Sequence, residues 1–160
     1  NAASVHRCEK RMSAGGSPRA RHFPAGLSRR VVQGHVLYAP VVSFDLGSHT
    51  LVFVSGLLSR DADGNIVGRG DMGAQIARVG ENLAIALEAA GATLADLVRT
   101  QTLVTDIEAF FQHVDVRQRY FGAALPTSTT VEVRRLSHPD FLVEIEALAI
   151  IPSSKPGATP

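Results

Sequence analysis

The hydrophobic positions change period several times along the chain, and each change marks an element. Near the C-terminus, Ser128–Leu136 and Leu142–Ile150 alternate apolar or β-branched residues with charged ones, which is the two-residue period of a strand. In the second run Val143, Ile145, Ala147 and Ala149 share one face, and Leu142, Glu144, Glu146 and Leu148 share the other. The two runs are separated by Ser137–Phe141 and read as a strand pair, with Glu132 facing the glutamates. Leu51–Ser55 is apolar on both faces, so it reads as a strand covered on both sides. Val31-Val32 and Val36–Tyr38 flank a turn at Gly34-His35. Pro40 then interrupts before Val41–Phe44, marking an edge or a break between short strands.

Helical spacing takes over from about Met72 to Ala90, where Ile76, Val79, Leu83 and Leu87 recur every three or four residues. Asp71 is suited to the N-cap and Gly91 to the C-terminal end. Leu97–Thr105 returns to strand alternation, with Val98, Thr100, Thr102 and Val104 on one face. Asp106 to about Phe121 reads as a second helix, with Phe110, Val114 and Arg117 or Gln118 along one side. The order is β-β-α-β-α-β-β, which suits an α+β two-layer sandwich with two helices on one face of a mixed sheet. The other sheet face is too apolar to leave in water. A neighbouring subunit is its simplest cover, and acids on such a face suggest a cavity between subunits.

With 160 residues, 45% hydrophobic and 19% charged, the chain is of one-domain size and globular composition. Residues 1–30 read as a flexible leader, 31–151 as the domain and 152–160 as a flexible tail; Met12 is a candidate natural start. The formal charge of +1 and the lack of a basic block with interleaved aromatics speak against nucleic acid. No apolar run approaches 18 residues, which speaks against a membrane span, and the N-terminus lacks the apolar middle of a signal peptide. A cytoplasmic protein fits these features. The single cysteine, Cys8, cannot form a disulfide framework. The six histidines are scattered without a ligand spacing, so no metal is expected, and without a Gly-rich phosphate loop no cofactor is expected either. Arg60–Asn65 lacks the spacing and closing glutamate of a calcium loop.

The candidate chemistry lies at the C-terminal strands. A half-buried carboxylate at Glu144 can hold a water and act as general base or acid; it can equally pair with Arg134 or Arg135. Glu146 leans further toward the ion-pair role. Ser128, Thr129 and Thr130 offer hydroxyls for a substrate carboxylate or carbonyl, or are simply β-formers. No Gly-x-Ser-x-Gly elbow and no adjacent histidine base support a nucleophilic serine. Ser55-Gly56 ends a strand where backbone can approach a ligand, or where packing requires a bend.

Over residues 36–150 the chain resembles the RidA (YjgF/YER057c/UK114) family. The resemblance rests on Phe53-Val-Ser-Gly56, Gly70-Asp71, Gln75, Asn82-Leu83, Ala89-Ala-Gly-Ala92 and Val98-Arg-Thr100. It continues through Val104-Thr-Asp106, Tyr120-Phe-Gly122, Pro126, Thr130-Val-Glu-Val133 and Val143-Glu-Ile-Glu-Ala147. It implies a chorismate-mutase-like fold and a homotrimer with clefts between subunits. It also implies hydrolysis of reactive enamines or imines, such as 2-aminoacrylate, to a keto acid and ammonia. Glu144 matches the family's water-placing glutamate. The family's carboxylate-binding arginine, two residues after the proline, is Ser128 here. The early cleft tyrosine has no match in Tyr38-Ala39-Pro40, and the family's Ser-Gly-Gln reads Ser55-Gly56-Leu57. A serine cannot replace a bidentate guanidinium. With Leu57, it predicts a less charged pocket, for a larger or less acidic imine or for a small-molecule binding or regulatory role without turnover.

Overall fold

The computed structural model describes residues 18–153, so Cys8, Met12 and the outer parts of the expected leader and tail lie outside the described residues. One sheet has six strands: β1 (Arg19–His22), β4 (Val41–Asp45), β5 (His49–Leu58), β6 (Leu97–Val104), β7 (Thr127–Glu132) and β8 (Val143–Pro152). Their spatial order is β1-β4-β5-β8-β6-β7. The β6–β7 pair is parallel and the other pairs are antiparallel. A separate two-stranded hairpin, β2 (Val31–Val32) and β3 (His35–Val36), turns at Gln33-Gly34, both with positive φ. The helices are α1 (Met72–Glu88), α2 (Ile107–Phe111) and α3 (Val114–Phe121). The expected two-layer α+β architecture is present.

The core lies between the helices and one sheet face. Ile76, Val79, Leu83, Ala86 and Leu87 of α1 are fully buried, as are Val52 of β5 and Val143 and Ala149 of β8. Each such Leu or Ile contributes roughly 1.5–3 kcal/mol relative to exposure. Asp71 caps α1 by accepting from the Ala74 N–H at 2.9 Å, and Gly91 leaves the helix at φ +76°. Gln75, fully buried, donates to the carbonyls of Gly68 and Asp140 and accepts from the Leu142 N–H. It thereby fastens the two loops that enter α1 and β8.

Several sequence expectations are corrected. The polar segment Arg19–His22, read as leader, is an edge strand of the main sheet. The two C-terminal runs are not neighbours, because β6 lies between β7 and β8. Glu132 therefore does not face Glu144; its carboxylate accepts from the Ile107 N–H at the start of α2. The helix expected over 106–121 breaks after Phe111, and Val114 is exposed. In β6 a register shift between Leu97 and Arg99 buries Leu97 with Thr100, Thr102 and Val104, and leaves Val98 exposed. On β8 the expected alternation holds: Val143, Ile145, Ala147 and Ala149 face the helices. The opposite face is uncovered among the described residues and exposes Phe44, Phe53 and Ile150.

Candidate active site

Glu144 sits near the start of β8, opposite Leu58 of β5 and Leu103 of β6, on the face away from the helices. The β5–β8 ladder is irregular beside it. Val54 pairs with Ala147 and Leu57 with Ile145, so Ser55 and Gly56 oppose the single residue Glu146. This is a β-bulge, a feature that re-aims side chains next to sites. It changes the parity of β5: Val52 and Val54 are buried before it, Leu57 and Ser59 after it. Leu57 therefore points into the core and not into a cleft, contrary to the sequence expectation.

The bulge brings the Gly56 backbone against Glu144. A Cβ at position 56 would lie 2.0 Å from Glu144 Oε1. Glycine is needed here for close approach, although the approaching group is the protein's own carboxylate. Among the described residues that carboxylate has no hydrogen-bond or ion-pair partner, and neither Arg134 nor Arg135 reaches it. Burial, and secondarily the charge of Glu146, push the Glu144 carboxyl above the usual glutamate range. A free, half-buried carboxylate with a raised pKa is a stronger base than an ordinary glutamate and can take a proton and return it.

Glu144 opens into a cleft of about 680 Å³. Ser55 and Gly56 line it, together with Tyr38, Arg30 and Arg60. The Ser55 hydroxyl donates to the Ala39 carbonyl at 2.9 Å, and its N–H donates to Pro40, so Ser55 holds the chain entering β4. The cleft carries six charged side chains: Arg29, Arg30, Arg60, Asp63, Glu144 and Glu146. Neither Ser128 nor Leu57, on which the expectation of a less charged pocket rested, lines this cleft. Tyr38 and the arginines share this cleft through tertiary folding, Tyr38 and Arg30 from the segment around the hairpin and Arg60 from the loop after β5.

The hydroxyls singled out on β7 lie elsewhere. Ser128 Oγ is within 3.1 Å of the buried Thr100 hydroxyl, and accepts from Arg117 of α3 at 3.3 Å. Ser128 and Thr130 pair with Thr100 and Thr102 on the helix side, and Thr129 with Gln101 on the open face. None of the three lines the Glu144 cleft of the same chain.

With this geometry in place, comparison with known proteins is informative. A family profile described as "Endoribonuclease L-PSP" matches residues 36–151. A RutC family protein of Pyrococcus abyssi is 38% identical over 98 residues, covering 61% of this chain and 76% of that protein. Among solved structures, Rv2704 of Mycobacterium tuberculosis, a YjgF/YER057c/UK114 family member, is 35% identical. It covers 83% of this chain and 99% of that one, at a TM-score of 0.63. Escherichia coli TdcF, solved with bound serine, is 26% identical, with coverage of 82% and 98% and a TM-score of 0.68. The two-layer sheet and helices match the RidA/chorismate-mutase-like architecture. The chain belongs to the endoribonuclease L-PSP family, the superfamily of the YjgF/YER057c/UK114, RidA and RutC proteins.

Proposed function

We propose that the chain is a hydrolytic deaminase of reactive enamines or imines, releasing a carbonyl product and ammonia. It works as a cytoplasmic homotrimer whose subunits meet over the uncovered sheet face. The observation that carries this reading is Glu144: unpartnered, half-buried, pushed up in pKa and opening into a cleft. An enamine first tautomerises to its imine. The imine reacts in its protonated form, and water held by Glu144 attacks the C=N carbon. The C–O bond forms, the π electrons move to nitrogen, and Glu144 accepts one proton of the water, leaving a neutral carbinolamine. Glu144 returns that proton to the nitrogen and then takes the hydroxyl proton as C=O forms and the C–N bond breaks; ammonia leaves, and the proton on Glu144 passes to solvent.

In the trimer, Thr129, on the open face of β7, approaches the cleft of an adjoining copy and orients the substrate. Ser128 in place of the family's arginine alters specificity relative to 2-aminoacrylate deaminases. The family's endoribonuclease wording is not carried over, since a formal charge of +1 offers no footprint for a polyanion. A second reading, a trimeric binding or regulatory protein without turnover, draws support from the serine bound to the related TdcF. A panel of imines generated in situ distinguishes the two. Ammonia release above the uncatalysed rate, lost in Glu144→Gln, supports the deaminase. Ligand binding with no turnover on any imine supports the second reading.

A further inference from the structure

The Glu144 cleft has a cationic wall that the reaction above does not use. Arg60 is built into place from both ends. Its carbonyl accepts from Asn82 Nδ2 at 3.0 Å and from Arg78 Nε at 2.9 Å, both on α1. Its guanidinium lies 4.7 Å over the Phe141 ring, and Nη1 donates to the Gly64 carbonyl at 2.7 Å. The loop it opens is braced internally, as Asp61 accepts from the N–H groups of Asp63 and Asn65. A guanidinium has five donors. Nε and Nη2 of Arg60 have no partner among the described residues.

Arg30, at the base of the hairpin, lines the same cleft as Arg60, and after burial its charge is what lowers the Arg60 pKa. No carboxylate among the described residues pairs with either, although Asp63 and the two glutamates share the cleft. Two like charges lining one cleft without a counter-ion, Arg60 half-buried and Arg30 exposed, favour an incoming anion. Arg117 is another half-buried arginine. It stacks 5.1 Å from the Phe121 ring and donates to Ser128 on the helix side of the sheet.

We propose that Arg60 and Arg30 form an anion clamp, holding the carboxylate of an acidic imine whose reacting carbon faces Glu144. Specificity for acidic substrates is then set by the hairpin and the 60–66 loop of the same chain, not by β7. This rests on reading the Glu144 cleft as the substrate site.

The test is calorimetric titration with pyruvate and with its neutral methyl ester. Wild type is expected to bind the acid at least about tenfold more tightly than the ester. Arg60→Gln and Arg30→Gln are each expected to weaken pyruvate about tenfold and leave the ester unchanged. Glu144→Gln keeps pyruvate binding, so failure of the hydrolytic reading is separable from failure of the clamp. Arg30 has no bonded side-chain partner among the described residues. Its variant therefore decides the matter if Arg60→Gln fails to fold. Equal affinity for acid and ester, no pyruvate binding, or a loss seen with Arg117→Gln but not with the clamp variants would each overturn the proposal.

Discussion

Gly56→Ala probes the site where it is tightest. The new methyl carbon would fall 2.0 Å from Glu144 Oε1, 2.9 Å from Cδ and 3.1 Å from Cγ. Ordinary contact begins at 3.4 Å, so the oxygen must retreat by about 1.4 Å. Gly56 is not in the left-handed region, so alanine adopts its backbone without strain. The atoms displaced belong to the free end of a side chain. The stability cost is then that of an off-rotamer glutamate, ~0.5–1.5 kcal/mol. Activity responds more steeply, because misplacing a reacting group by ~1 Å costs about 100-fold. Thermal melts and initial rates of ammonia release, run on the same preparation, separate the two effects. A variant as active as wild type would refute the geometry; global unfolding would refute the claim that only Glu144 yields.

Three further outcomes follow from the fold. Gln75→Leu keeps the volume but orphans the Asp140 carbonyl and the Leu142 N–H, while the Gly68 carbonyl keeps the Asp71 N–H. At about 1–3 kcal/mol each, urea denaturation should show a loss of at least ~2 kcal/mol, and a near-neutral result would contradict the staple. Because the Glu144 carboxyl is raised by burial and then by Glu146, the folded chain holds that proton more tightly than the unfolded one. This contribution is lost as pH rises from the ordinary glutamate pKa through the raised one. Melts across pH should therefore find Glu144→Gln more stable than wild type at neutral pH, with the difference gone below about pH 4. Phe53→Asp, on the uncovered face and 50% exposed in the single chain, should leave the protomer folded and abolish trimers in sedimentation velocity. An unchanged assembly would count against subunit contact there.

Much of the fold was legible where one local rule governed. The alternation on β8 separated Glu144 from the core face, and Asp71 and Gly91 bounded α1 by capping chemistry alone. What could not be read depended on pairing at long range. Arg19–His22 has the composition of a solvated leader and is a strand only because β4 offers an edge. The shift near Val98 carries no glycine or proline to announce it, so the parity of β6 was misread at its start. At Ser55-Gly56 the glycine was visible, but its consequence was not: the bulge turns Leu57 inward and Gly56 under Glu144. The break after Phe111 moves Val114 outward while Phe110 and Phe121 remain in the core. Arg60 and Tyr38 reach the cleft through tertiary folding, which no spacing rule along the chain expresses.

The most direct measurement is the initial rate of ammonia release from an imine generated in situ, for wild type and for Glu144→Gln, with pyruvate affinity measured alongside. The rate is predicted to fall about 100-fold or more while the affinity stays the same. Equal rates in the two proteins would contradict a catalytic role for Glu144.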